Sequence, residues 1–131
     1  MRFGRGAGGL VEGARVNEQT PSAQFIEELK RDGDETRLAK IQACLETYSR
    51  HGEEHLGRDI KELRQGLWEL RAGDVRLPFF RVTGEAQKRC EHHTVVRLTH
   101  GFKKQGQRIP RNQIDHADWI RREDARCDQL T

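Results

Sequence analysis

From Leu67 onward the apolar residues stop recurring every third or fourth position and begin to alternate or run together. Leu67-Trp68-Glu69-Leu70-Arg71 reads as a strand. Gly73-Asp74 marks a tight turn, and Val75-Arg76-Leu77-Pro78-Phe79-Phe80-Arg81-Val82 reads as a second strand, so the pair forms a hairpin. Pro78 carries no amide hydrogen and removes one ladder donor, which favours an edge position or a bulge. Gly84 to Glu91 is a polar turn, and Thr94 to Phe102 supplies the third strand of a meander.

Upstream, the spacing is helical. Thr20 can cap and Pro21 suits a first helical turn, after which Phe25, Ile26 and Leu29 fall on one face. Asp32-Gly33-Asp34 interrupts. A second helix carries Leu38, Ile41, Leu45 and Tyr48 at three- to four-residue spacing and ends near His51-Gly52. Residues 53–66 read as a polar loop anchored by Ile60 and Leu63, and Pro110 opens a final helix with Ile114, Ala117 and Ile120 inward. Residues 1–19 are Gly-rich and weakly patterned. Their G-x-G-x-x-G spacing has no room for a preceding strand, so they read as a flexible leader in which Leu10 to Val16 can supply one short edge strand. Helices followed by strands imply an α+β fold: two N-terminal helices packed on a small antiparallel sheet, then a C-terminal helix, with residues 20–131 as one domain.

Charge narrows the partners. Between Glu91 and Asp115 no acidic residue occurs, yet Arg97, Lys103, Lys104, Arg108 and Arg111 all do, in a chain whose net charge is only +3. A positive cluster that local, following an apolar strand, suits a polyanion of fixed geometry, and RNA phosphate is the natural candidate. Only 34% of the residues are hydrophobic, which supports a small core and leaves no run long enough for a membrane span. No continuous apolar segment marks a secretory signal, and three widely spaced cysteines do not make a disulfide framework, so a cytoplasmic setting is expected. Cys90-Glu91-His92-His93 lacks a second ligand pair at metal spacing and reads as a polar turn.

Taken in order, Leu67-Trp68-Glu69-Leu70-Arg71, Val75-Arg76-Leu77 with Phe79-Phe80, and Leu98-Thr99-His100-Gly101-Phe102-Lys103-Lys104 with Pro110 resemble the phage-derived, HigB-type branch of the RelE/ParE toxin superfamily. Thr20-Pro21-Ser22-Ala23-Gln24-Phe25 resembles that family's entry to its first helix, and the resemblance spans about residues 20–122. It implies a RelE-like fold and the toxin of a type II toxin–antitoxin system. It further implies an endoribonuclease that cuts messenger RNA on the ribosome (an mRNA interferase), restrained by a helix-turn-helix, HigA-like antitoxin, with no cofactor. ParE-like members inhibit DNA gyrase instead, and a non-catalytic nucleic-acid- or partner-binding member is a further alternative. The sequence departs from the family pattern at Pro78, at Gln105 and in having Tyr48 as its one tyrosine, on the second helix and far from the basic loop.

Cutting RNA requires a base near the ribose 2′-OH, an acid near the leaving 5′-oxygen, and cations around the phosphate. Arginine clamps phosphate and stays charged, whereas lysine and histidine can exchange a proton. The expected catalytic set is therefore Arg76, Lys104, Arg108 and His100, with Arg71, Arg97, Lys103 and Arg111 on RNA phosphate. Each has a plainer reading: a strand arginine can be a solvated ion pair, Lys103 a steering charge, and His100 a hydrogen-bonded structural residue.

Overall fold

The computed structural model describes residues 2–6, 9–52, 59–82 and 94–130. The strands are β1 (Arg2–Gly6), β2 (Gly9–Gly13), β3 (Ile60–Arg64), β4 (Leu67–Ala72), β5 (Val75–Arg81), β6 (Val95–Leu98) and β7 (Phe102–Lys103). The helices are α1 (Pro21–Arg31), α2 (Glu35–His51) and α3 (Arg111–Leu130). Seven strands form one sheet in the order β1-β2-β6-β5-β4-β3, with β7 also paired to β5.

This corrects the expected architecture of two N-terminal helices on a small antiparallel sheet. The first helix follows two strands, and the sheet is mixed: β2 runs parallel to β6, pairing Leu10 with Val95 and Gly13 with Leu98. The residues read as a leader with an edge strand hold an interior strand in which Leu10 and Val11 are buried. Glycine made that segment hard to read. A Cβ at Gly6 would lie 2.6 Å from the Ser49 backbone oxygen of α2, and one at Gly4 would collide with the Ser49 hydroxyl. The small residues let β1 lie close against the helix.

α1 and α2 cover one face of the sheet. Val75, Leu77 and Phe79 of β5 meet Leu29, Ile41, Leu45 and Tyr48 there. Phe80 and Val82 turn to the other face, where Leu10, Ala14, Val95 and Ile120 of α3 close a second cluster. Covered on both sides, β5 is buried at every position except Arg81, which explains its apolar run from Leu77 to Phe80.

The expected third strand is split. β6 pairs with β5 at Phe79 to Arg81, and β7 pairs with Val75 and Arg76 on the same edge. The break falls opposite Pro78. Thr99 N donates to Pro78 O at 2.8 Å, but Pro78 has no amide hydrogen to return. Pro78 thus sits in a central strand, not at an edge, and its lost donor appears as a gap in the neighbour.

Residues 60–64, read as loop, form an edge strand joined to β4 through Gln65-Gly66, with Gly66 at φ 76°. No helix among the described residues is long and apolar enough to cross a membrane. Cys44 and Cys127 are free thiols, and burial pushes the Cys44 thiol up to about 11. The Cys90-Glu91-His92-His93 segment lies outside the described residues.

Candidate functional site

Antiparallel register places Arg71 of β4 opposite Arg76 of β5, and Lys61 of β3 opposite Glu69. These four side chains belong to the sheet face away from α1 and α2, because Leu70, Ala72, Val75 and Leu77 occupy the helix-covered side. The chain after β7 then crosses this face before α3 begins. Between sheet edge and loop lies a groove of about 300 Å³. Lys61, Arg71, Lys104 and Arg108 line it together with Glu62, Gln107 and the apolar Leu63, Ile109 and Ile114.

Of the expected site residues, the structure gathers Arg71, Lys104 and Arg108. Arg71 Nε lies 3.3 Å from Glu69 Oε1; Glu69 is fully buried, and its second oxygen has no hydrogen-bond partner among the described residues. Lys104 is fixed through its backbone, whose N–H donates to Asp74 O at 2.7 Å. Lys61, which the sequence reading missed, completes the groove. The signal that could have found it was Gly66, two residues after Arg64 and directly before the β4 pattern, as a hairpin requires.

The other expected residues sit elsewhere. Arg76 is buried. Its Nη1 donates to Gly73 O at 2.6 Å and to Val75 O at 3.0 Å, and its Nε has no partner among the described residues. Arg97 is enclosed by carboxylates: Glu12 at 3.0 Å, Asp124 at 2.8 Å and Asp128 at 2.6 Å. Burial opposes its charge, but these acids outweigh burial and raise its pKa further. This knot ties α3 to β2 and β6. Lys103 is exposed and shares the side of its register partner Val75, where it adds to Arg37 in holding the Asp34 carboxyl below its ordinary range. Arg111 is exposed at the start of α3.

His100 is an interior residue. Its Nε2 lies 2.8 Å from Gln113 Oε1 and its Nδ1 3.1 Å from Thr99 Oγ1, whose hydroxyl donates to Pro78 O at 3.2 Å, so both ring nitrogens face polar partners inside the fold. Phe102 stacks on it at 5.4 Å and His116 meets it edge-on at 4.8 Å. Burial, reinforced by His116 and only partly opposed by Gln113, lowers its pKa to about 4. It is neutral at pH 7 and does not line the groove. Tyr48 is buried edge-on against Phe79 in the helix-covered core.

The groove can therefore hold an anion. Two arginines supply planar, permanently charged donors, and two lysines supply charge that can move a proton. Among the described residues, no group of three or more His, Cys, Asp or Glu is placed to hold a metal ion.

A small mixed α/β domain with a cationic groove at one sheet edge is the class that fold and site define. Residues 27–122 match the family described as Phage derived protein Gp49-like (DUF891), and the chain belongs to that family. It is a toxin-like family related to RelE and HigB. No curated protein matches the chain.

Proposed function

We propose that this chain is the toxin of a type II toxin–antitoxin pair, of HigB type, and acts as an endoribonuclease on ribosome-bound messenger RNA. The observation that carries the reading is the convergence of Lys61, Arg71, Lys104 and Arg108 on one groove. Family membership supports it. In this reading the ribose 2′-oxygen attacks the adjacent phosphorus, the bond to the 5′-oxygen breaks, and a cyclic phosphate and a 5′-hydroxyl result. Arg71, Arg108 and Lys61 hold the phosphate and its growing negative charge. Lys104 relays the proton from the 2′-hydroxyl to the leaving 5′-oxygen, because arginine does not release one. Lys103 and Arg111 steer RNA from the rim. Arg76 and Arg97 are structural in this scheme, and so is His100, whose neutral ring is closed off by Gln113 and Thr99.

A helix-turn-helix antitoxin of HigA type is the proposed partner, with the groove as the surface it must deny to RNA. The seclusion of His100 and Tyr48 favours one second reading, a member that binds RNA without cutting it.

Induced expression, alone and with the antitoxin, followed by primer extension on cellular message, tests both. New 5′ ends that vanish in Arg71→Ala and Lys104→Ala support the nuclease. Growth arrest without new ends, together with retained RNA binding, supports the second reading. Induction of a DNA-damage response would identify gyrase as the target and overturn both.

A further inference from the structure

The turn between β4 and β5 touches more of the site than its size suggests. Gly73 and Asp74 form it, with Gly73 at φ 64°. Gly73 O accepts the Arg76 guanidinium at 2.6 Å, and Asp74 O accepts the Lys104 amide at 2.7 Å. Two adjacent carbonyls thus fix a buried cation beside the groove and the backbone of a cation inside it. A two-residue turn at the end of a hairpin would ordinarily be among the looser parts of a sheet.

Here it is held from outside. Arg37, in the first turn of α2, meets the Asp74 carboxylate side-on: Nε to Oδ1 at 2.9 Å and Nη2 to Oδ2 at 2.6 Å. The remaining arm, Nη1, reaches Asp34 Oδ2 at 2.6 Å. Asp34 is the residue capping α2, and its Oδ1 also accepts the Arg37 amide at 3.3 Å. Lys40, one turn along α2, closes over the same turn: a Cβ at Gly73 would lie 2.8 Å from its Cδ. The guanidinium holds both Asp34 and Asp74 below the ordinary carboxylate range, so both are charged at neutral pH. A bidentate pair fixes angle as well as distance, which a single lysine contact does not.

We propose that Arg37 and Asp74 are positioning residues of the groove: their ion pair, anchored by Asp34 to the start of α2, sets the Gly73-Asp74 turn and through its carbonyl places Lys104 against Arg71. Neither residue touches the substrate. The proposal rests on the ribonuclease reading for its catalytic consequence, but the placement of Lys104 stands on geometry alone. Its logic is that catalysis depends on orientation to a fraction of an ångström, whereas a surface pair of this kind adds little to global stability.

Two measurements on Arg37→Ala, Asp74→Asn and the double variant test it. The first is amide hydrogen exchange. Lys104 should lose protection by about tenfold in each variant, the scale of one weakened local contact, while amides of β5 and β6 keep theirs. The second is cleavage kinetics on ribosome-bound message. The turnover number should fall about 10- to 100-fold with KM nearly unchanged, and the double variant should be no worse than the singles, since both break one pair. Asp74→Glu, which keeps the charge, should recover part of the rate. Wild-type protection at Lys104 in a folded Arg37→Ala protein overturns the proposal, as does a loss that appears in KM alone. If the wild-type chain cuts no RNA, the ribonuclease reading fails by itself, and the exchange result still decides whether the pair holds Lys104.

Discussion

Protonation of His100 gives the fold a defined sensitivity to acid. In the folded state the ring sits among Phe102, His116, Gln113 and Thr99, and its pKa is lowered to about 4 from 6.5. Unfolded chains take up the proton near 6.5, so between these values the unfolded state holds more protons and stability rises with pH. The stability is intact above the unfolded value and is lost as pH falls toward the folded one. Within that window a tenfold rise in proton concentration costs about 1.4 kcal/mol, so lowering pH from 7 to 5 should remove about 2 kcal/mol, or about 6 °C in melting temperature for a domain of this size. Asp34, Asp74 and Asp115, lowered from 3.8 by their arginine partners, are ionised in both states between pH 7 and 5 and lose their contribution only in stronger acid. Urea unfolding at pH 7 and pH 5, compared between wild type and His100→Gln, measures the effect. Glutamine still reaches Gln113 but does not titrate, so the variant should be less stable at pH 7 and nearly flat between the two. An equal slope in both proteins would refute the assignment.

Removing the guanidinium in Arg97→Met leaves Asp124, which is 1% exposed, without its cation, and should cost about 3–5 kcal/mol in chemical denaturation. Gly6→Ala drives a methyl group to within 2.6 Å of the Ser49 backbone and should destabilise by about 1–3 kcal/mol; a residue in a detached leader would show no change in melting temperature. Arg108→Ala should lower cleavage by about 10²–10³ with its melting temperature held, the scale of one lost oriented charge, whereas Arg71→Ala should lower both cleavage and melting temperature, because fully buried Glu69 loses its cation. Lys103→Ala should act more weakly, and its effect should shrink as salt is raised, read from cleavage at two ionic strengths.

Local patterns carried much of the fold. The stripe Ile41, Leu45, Tyr48 faces the sheet, and the Gly73-Asp74 turn sits where the two strand patterns meet. What escaped reading depended on partners distant in the chain. β1 looked unstructured because its glycines answer to Ser49, and β3 looked like loop because an edge strand buries little and can stay polar. The site divided the same way. Arg71, Lys104 and Arg108 meet because hairpin register and a short loop bring them together, both local matters. Arg97 is indistinguishable from them in sequence, and its enclosure is set by Glu12, Asp124 and Asp128, which arrive from the two ends of the chain.

The parallel pairing of β2 with β6 has a consequence for how the molecule is made. Glu12 and Arg97 are 85 positions apart, so an early strand must wait for one of the last before the sheet can close. Contacts that distant in sequence form late and slowly. During synthesis, β1 and β2 emerge with no parallel neighbour to dock on, and the segment that supplies one, Val95–Leu98, is followed within a few residues by Lys104 and Arg108. Completion of the sheet and arrival of the groove's loop are therefore nearly one event. A nascent chain halted before that point lacks both, so an assembled groove requires that the chain has been made through Arg108.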